Sequence, residues 1–584
     1  MIKKSNYQKN YWYLIQITSF ALITPWTQAQ SINDAARQSQ VDINQLQQLQ
    51  QQRQLQNQVQ SLGTSDFNFK IDRTEKTPVK KALDELTFVL NGIDIDGDKI
   101  FDEAETDKSF VKYLGKKTSL SELNEAVENL EERYRQAGYF LSKVYIPPQK
   151  LEKGILRVVV VEGYINKINV EGGTSSMQSI VKDTLNPLVD KKPLDLPSVE
   201  KALLVLNSFP GYSVSSVLRQ GSAPNSSEIF VSIQQLPNNY LVSINNNSSN
   251  AVGVWGGSAN ATLNHILGRD NQLTLGYTGS IGLDRLDDFK KLNLLTAKYA
   301  EPIGSSGLVG SVGVLQSLSR PGASLAPLEI QTNSNNVNFR LSYPLYKAYG
   351  NSLSVDSGIT LNRSKTTTLG NPLTFDKSTV YDLNFVWTNN QFLYGSNIIN
   401  LTFSKGLPGG NSLEVGDPTA SVVGFNPTFL KASFNWVRIQ PLTRSWSVQM
   451  GLSGQYTSDN LLMGDTIVFG GAIIGRGFDN GVIVGDKGLG GYFELRKDLP
   501  YQLPYATSPL QTFGFYDYGA VSMNANATTG ANSSSSYIKS YGFGARSYFP
   551  KGSIELQWAM ADSYVFSADP RPNPRVLFLG NYYF

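Results

Sequence analysis

Four groups of residues have types or spacings that could do chemistry. The first is the acidic run Asp94-Ile95-Asp96-Gly97-Asp98. With Asp94 as position 1, Asp96, Asp98 and Glu105 fall at positions 3, 5 and 12 of a calcium loop. Lys99 then sits at position 6, where the sharp turn needs Gly, and the incoming segment is strand-like rather than helical. A solvated turn at a strand end is the better reading. The second is His265, the single histidine, between Asn264 and Ile266 and beside the turn-like Gly268-Arg269-Asp270-Asn271. It reads as a structural residue near a strand end. The third is Gly475-x-Gly477, which lacks the third Gly of a dinucleotide loop and has Asn480 in its place. The fourth is Arg476 itself, a cation set in the Gly-rich segment Phe469–Gly491 and followed by Gly477 and Phe478. Taken alone, it reads as a solvated loop charge.

Bond chemistry is otherwise poorly provided for. The chain contains no Gly-x-Ser-x-Gly, no Gly-x4-Gly-Lys-Ser/Thr and no His-Glu-x-x-His. Without cysteine there is no disulfide, thiol nucleophile or Cys-ligated metal site. One histidine makes a poor basis for a metal centre. The sequence calls for no cofactor, no metal and no catalytic residue. A net charge of +3 over 584 residues is no nucleic-acid footprint. What stands out is 51 Gly, 29 Tyr and 28 Phe with only 17% charged residues, at a mean hydropathy of −0.23. That balance suits neither a helical membrane protein nor an ordinary cytosolic enzyme.

The elements that would position these residues follow in chain order. Lys3, Lys4 and Lys9, an apolar stretch from Tyr11 to Trp26 and then Thr27-Gln28-Ala29 form a secretory signal peptide, residues 1–29. No other apolar run reaches the length of a membrane-spanning helix. Residues 30–62 are rich in Gln and Asn, with spaced Ile43, Leu46, Leu49, Leu55 and Val59 and no internal Pro or Gly, and are expected to be helical. A helix so polar needs a wet home, such as a water-filled pore. Residues 63–85 read as a linker.

Two small α/β modules follow, at 86–163 and 164–237. In the first, Phe88, Leu90, Ile93 and Ile95 lie in an extended run. Ser119-x-x-Glu122 is a capping box, and Leu120, Leu123, Val127, Leu130 and Tyr134 form one apolar helical face before Gly138. Strand-like runs Phe140–Ile146 and Gly154–Val161 complete it. The second module repeats the order strand, helix, helix, strand, strand. Gly138-Tyr139, Pro148-Gln149, Gly154, Leu156 and Glu162-Gly163 resemble the signature of the POTRA domain of two-partner secretion outer-membrane transporters, the haemolysin activation/secretion type. The resemblance implies an N-terminal plug helix, two periplasmic POTRA domains and an outer-membrane β-barrel.

Residues 238–584 alternate with period two. Leu273, Leu275 and Tyr277 form one apolar set, Val337, Phe339, Leu341 and Tyr343 another, and Tyr381, Leu383, Phe385 and Trp387 a third. The chain closes on Val576, Phe578, Gly580, Tyr582 and Phe584, which resembles the barrel insertion signal in Tyr582 and the terminal Phe584. At roughly 22 residues per strand and connection, the region divides into 16 antiparallel strands around a wet lumen. Closure pairs every backbone group, as lipid demands.

Within this barrel, Gly475-Arg476-Gly477-Phe478 resembles the family motif at the tip of the long sixth extracellular loop, with Gly475 in place of the usual Val. Gly491-Tyr492-Phe493-Glu494-Leu495-Arg496 and Phe515-Tyr516-Asp517-Tyr518-Gly519 resemble two strand motifs of the family. The resemblance implies that Arg476 pairs with Asp517 on the barrel wall, with Glu494 a second candidate. An Arg fork meets a carboxylate bidentately, and flanking glycines allow close packing.

The function implied is an ATP-independent pore that captures an unfolded exoprotein of haemolysin, adhesin or contact-dependent toxin type and passes it to the cell surface. Its partners would be that exoprotein, outer-membrane lipids and, during biogenesis, periplasmic chaperones and the barrel-assembly machinery. An assembly insertase of the same superfamily and a passive diffusion porin are the rival readings. Two modules and a Gln-rich plug favour the secretion pore.

Overall fold

The computed structural model describes residues 25–61, 69–71, 87–97, 100–102, 105–106, 108–150, 153–282, 291–562 and 574–584, with side chains of the first helix from 39 to 60. Most of the expected signal peptide, residues 1–24, lies outside the described residues, as do Asp98 and Lys99 of the acidic run. The first helix spans Pro25–Ser61, so it starts five residues before the expected boundary. Pro at a helix start is well tolerated, since its missing N–H has no partner to lose there.

In the first module, Gly92–Asp96 runs parallel to Ile155–Val161, which pairs antiparallel with Lys143–Tyr145. The helix Leu120–Gln136 begins at Ser119 with both hydrogen bonds of the capping box present. It buries Leu123, Ala126, Val127, Leu130 and Tyr134 against this sheet, while Leu120 is only half-buried. The single extended run read from Phe88 to Ile95 is two strands, because Thr87–Val89 pairs instead with Lys117–Ser119.

In the second module, Tyr164–Gly172 runs parallel to Ser226–Gln235, and Tyr212–Gln220 pairs antiparallel with the latter. Helices Ser175–Leu185 and Leu196–Leu206 cover one face, with Met177, Val181, Leu203 and Leu206 in the core. A fourth strand comes from the segment read as linker: Phe69–Ile71 adds in parallel to the outer edge of Tyr212–Gln220. Phe69 also sets its ring edge-on to Phe140 at 5.9 Å, tying the segment to the junction of the modules.

From Asn239 onward, 16 antiparallel strands close into a barrel, sealed by Asn239–Asn245 against Arg575–Tyr583. The alternation sorts the faces. Tyr516 and Tyr518 point outward, whereas Phe515, Asp517 and Gly519 are buried on the lumen side. Phe339, Leu341 and Tyr343 likewise point outward, while Asn336, Asn338 and Arg340 line the lumen. Such a strand leaves an apolar band for lipid and a polar inner wall. No described helix is long and apolar enough to cross a membrane; this chain crosses with strands.

The second module sits on the periplasmic turns of the barrel. Asp270 accepts hydrogen bonds from Thr174 Oγ1, at 2.6 Å, and from the Tyr212 hydroxyl. His265 Nε2 lies 2.7 Å from the Gly211 carbonyl, and its ring is 4.4 Å from that of Tyr212. The one histidine therefore joins module to barrel.

Candidate functional site

The lumen holds two inserted segments. The first is the Gln-rich helix. Its few apolar residues rest on small wall patches: Val41 near Phe425 and Met463, Ile43 near Val252 and Leu292, Leu55 and Val59 near Ile398 and Val437. Its amides make the polar contacts. Asn44 Nδ2 donates to the Thr466 carbonyl at 2.9 Å, Gln48 Nε2 to the same carbonyl at 3.1 Å, Gln50 Nε2 to Thr278 Oγ1 at 3.1 Å and Gln56 Nε2 to the Tyr492 hydroxyl at 2.9 Å. Polar cavities of about 410 and 700 Å³ flank the helix.

The second segment is the loop joining strands Trp446–Tyr456 and Lys487–Asp498. A short hairpin, Ile467–Phe469 with Ile483–Gly485, directs it inward. Its tip is glycine-dependent. Gly475 has φ +88°, and a Cβ there would sit 2.4 Å from Ile538. A Cβ on Gly477 would sit 2.5 Å from the Ala561 nitrogen. The tip thus touches the wall backbone directly, and that contact aims Arg476.

Arg476 is 2% exposed and Asp517 0%. Arg476 Nη2 donates to Asp517 Oδ1 at 2.7 Å and Nε to Oδ2 at 3.1 Å, a bidentate pair. The backbone N–H groups of Gly475 and Arg476, at 3.2 and 3.0 Å, and the Ser540 hydroxyl, at 2.9 Å, also donate to Oδ2. Arg476 Nη1 donates to Glu494 Oε1 at 2.8 Å and to Gln557 Oε1 at 3.3 Å. The guanidinium lies 3.5 Å from the Phe515 ring centroid, a cation–π contact. Arg496 Nη2 donates to Glu494 Oε2 at 2.6 Å, and Arg546 Nε lies 2.9 Å from Glu555 Oε2. Three guanidiniums therefore face three carboxylates, and at Asp517 two backbone N–H groups and the Ser540 hydroxyl add further donors. Phe478 is buried in an apolar cluster with Phe469, Ile474 and Ile538.

Of the residues singled out in the sequence, Gly475, Arg476, Glu494, Arg496, Phe515 and Asp517 come together here, with Gly477 and Phe478 on the same tip. Gly519 lies under the Phe469 ring, 3.1 Å from where its Cβ would stand. Gly491 does not join them. It faces outward against Leu452, and its neighbour Gly490 meets Phe469 instead. Ser540, Arg546, Glu555 and Gln557 were not singled out, and Tyr492 was named only within its strand motif. Their signal was the lumen phase of the alternation, where polar residues recur every second position.

The POTRA-motif residues shape turns. Gly138 has φ +94° just after its helix, and Tyr139 sits edge-on to Tyr134 at 6.4 Å. Gln149, after Pro148, accepts from the Arg157 N–H at 2.8 Å and donates to its carbonyl at 2.7 Å, so its side chain mimics a strand rung. A Cβ on Gly154 would meet the Val89 carbonyl at 2.7 Å, and one on Gly163, next to half-buried Glu162, the Leu141 carbonyl at 2.4 Å. At the other terminus, Tyr582 pairs with Val242 in the closing seam and meets the Phe584 ring at 4.7 Å. Asp96 is bound by Arg157 at 2.7 Å, and the described residues contain no metal-ligating cluster.

A closed 16-strand barrel with POTRA-like modules at its periplasmic mouth and two inserted segments defines an outer-membrane transporter of the POTRA–barrel class. The profile of the haemolysin secretion/activation protein family ShlB/FhaC/HecB matches residues 226–546, more than half the chain, and that of the ShlB-type POTRA domain matches 88–163. The chain belongs to this family of two-partner secretion transporters. It is 24% identical over 484 residues to the heme/hemopexin transporter protein HuxB of Haemophilus influenzae, covering 78% of this chain and 80% of that one. It is 23% identical over 465 residues to the outer membrane transporter CdiB of Dickeya dadantii, with the same two coverages. Its fold resembles that of CdiB from Escherichia coli, with a TM-score of 0.68 at 18% identity over 93% of this chain and 98% of the other. It also resembles the fold of BamA from Haemophilus ducreyi lacking POTRA domains 1–3, with a TM-score of 0.51 at 15% identity over 85% and 100%.

Proposed function

We propose that this transporter exports an unfolded exoprotein bearing an N-terminal two-partner secretion domain, through a lumen that the Gln-rich helix must first vacate. The observation that carries the reading is the helix itself. It lies along the pore between polar cavities and is held mostly by neutral amides, with a charged contact from Arg53 near Glu555, so water can replace most of its contacts as it leaves. Cargo recognition falls to the modules. An extended cargo segment adds to a sheet edge by backbone hydrogen bonds. The strand Phe69–Ile71 supports this, since it already occupies one edge of the second module in that way. The loop carrying Arg476 guards the wall beside the path, and its rearrangement accompanies passage. Folding of cargo outside the cell prevents return, so ATP is not required.

The test is export of a large exoprotein that carries an N-terminal two-partner secretion domain. Deleting residues 86–237 is expected to abolish its surface appearance while the barrel still migrates as a folded, heat-modifiable band. Normal export by that variant overturns the proposal. A diffusion porin, by contrast, would conduct steadily with residues 31–60 in place.

A further inference from the structure

The outer wall carries a hollow of about 880 Å³ on its periplasmic half, between Trp446 and Trp558. Strand register explains it. On the outward face Gly514 stands between Leu495 and Phe543, and Thr512 stands between Lys497 and Ala545. Small residues thus occupy the middle of two adjacent rows, and large ones form the rim. A Cβ on Gly514 would find a single atom within 4 Å, the Gly542 carbonyl oxygen at 3.9 Å, so no side chain among the described residues covers the notch there. Phe543 and Trp558, stacked at 5.4 Å, wall one side.

The lip is charged. Lys497 lies at the periplasmic end of its strand, with Nζ 5.0 Å from the Trp446 ring centroid. Among the described residues it has no ion-pair partner; the adjacent Asp498 accepts from Gln511 at 2.8 Å. This face stands in the bilayer, where a Lys stem lies along apolar surface and its ammonium reaches the headgroup level. Basic residues at that level attract anionic lipid.

We propose that this notch binds one anionic phospholipid of the periplasmic leaflet, with an acyl chain over Gly514 and the phosphate on Lys497. The inference uses only the membrane setting of the barrel and is independent of cargo. The test is native mass spectrometry of the full-length protein released from nanodiscs containing equal amounts of phosphatidylglycerol and phosphatidylethanolamine. Wild type is expected to retain a single phosphatidylglycerol. Gly514→Leu fills the notch and should lower retention about tenfold, the equivalent of roughly two methylene groups left unburied. Lys497→Gln should bring phosphatidylglycerol down to the level of phosphatidylethanolamine. Heat-modifiable migration reports folding of both variants, and Lys497→Gln carries the test if Gly514→Leu fails to fold. Equal retention of the two lipids by wild type overturns the proposal, as does retention by a folded Gly514→Leu equal to that of wild type.

Discussion

The two segments inside the lumen are held by opposite physics. The loop tip is fixed by ions: Arg476 lies between Asp517 and Glu494, all nearly inaccessible to solvent. The helix is fixed mostly by neutral amides donating to carbonyl and hydroxyl oxygens beside polar cavities, with a charged contact from Arg53 near Glu555. Charge-assisted bonds between buried groups are roughly twice as strong as neutral ones. Neutral bonds next to water exchange at small net cost. Under the proposed transport, the difference suits the helix to departure and the loop tip to staying fixed as the helix leaves.

The largest expected effect breaks the ionic side of that comparison. Arg476→Ala strands Asp517 beside Ser540 in a site with 0% exposure, and removing one partner of a buried pair costs about 3–5 kcal/mol. Hydrogen exchange at residues 470–482 should accelerate strongly, and the barrel should lose heat resistance. Unchanged exchange there would remove the loop's claim to ionic fixation.

The joint between the second module and the barrel stands between the two extremes, with two carboxylates, Asp270 and Glu200, that take neutral donors. Burial acts to raise the Asp270 carboxyl, but the hydrogen bonds from Thr174 and Tyr212 outweigh it and hold it below the usual carboxylate range. Burial, and then the neighbouring Asp270, push the Tyr212 hydroxyl up to about 12. A pKa lowered on folding contributes fully above the unfolded value, near pH 4, and the contribution is lost as pH falls through the folded value. Exchange at residues 172–178 and 264–271 should therefore be slow at pH 7 and rise below about pH 4. In Asp270→Asn that pH step should disappear.

On the neutral side, Asn44→Ala combined with Gln48→Ala removes the hydrogen bonds to Thr466 and Met463. At about 1 kcal/mol for each of these three bonds, the net loss is about 3 kcal/mol. Planar-bilayer recordings should show open time rising by about two orders of magnitude, with exchange in the Arg476 loop unaltered. If that loop loosens as well, the two holds are not separate.

The barrel was legible because its pattern repeats: period two persists from Leu273 to the terminal Phe584, and only closure satisfies such strands in lipid. The latch was legible where it is local in sequence, around Arg476 and Asp517. Facing was harder. A shift of one residue turns a strand side chain to the other face, which is why Gly491 meets Leu452 while Gly490 lies under the loop. Arg546, Glu555 and Gln557 come from strands that reach the loop only after the barrel closes. Phe69–Ile71 was hidden for another reason: three residues carry no period, and the edge of Tyr212–Gln220 selects them.

The smallest expected effect sits where the two systems touch. The Tyr492 hydroxyl accepts from Gln56 on the helix at 2.9 Å and from Gln449 on the wall at 2.8 Å, while its ring centroid lies 5.8 Å from the Arg476 guanidinium. Tyr492→Phe keeps the ring and removes the oxygen. Both amides can turn to water in the cavity that Gln56, Gln449 and Tyr492 line, so the loss is about 1 kcal/mol. Open time should rise about fivefold, with loop exchange unchanged because the ring beside Arg476 is still in place. Should Tyr492→Phe instead loosen residues 470–482, the phenol oxygen would be a coupling element, and departure of the helix would itself weaken the ionic latch.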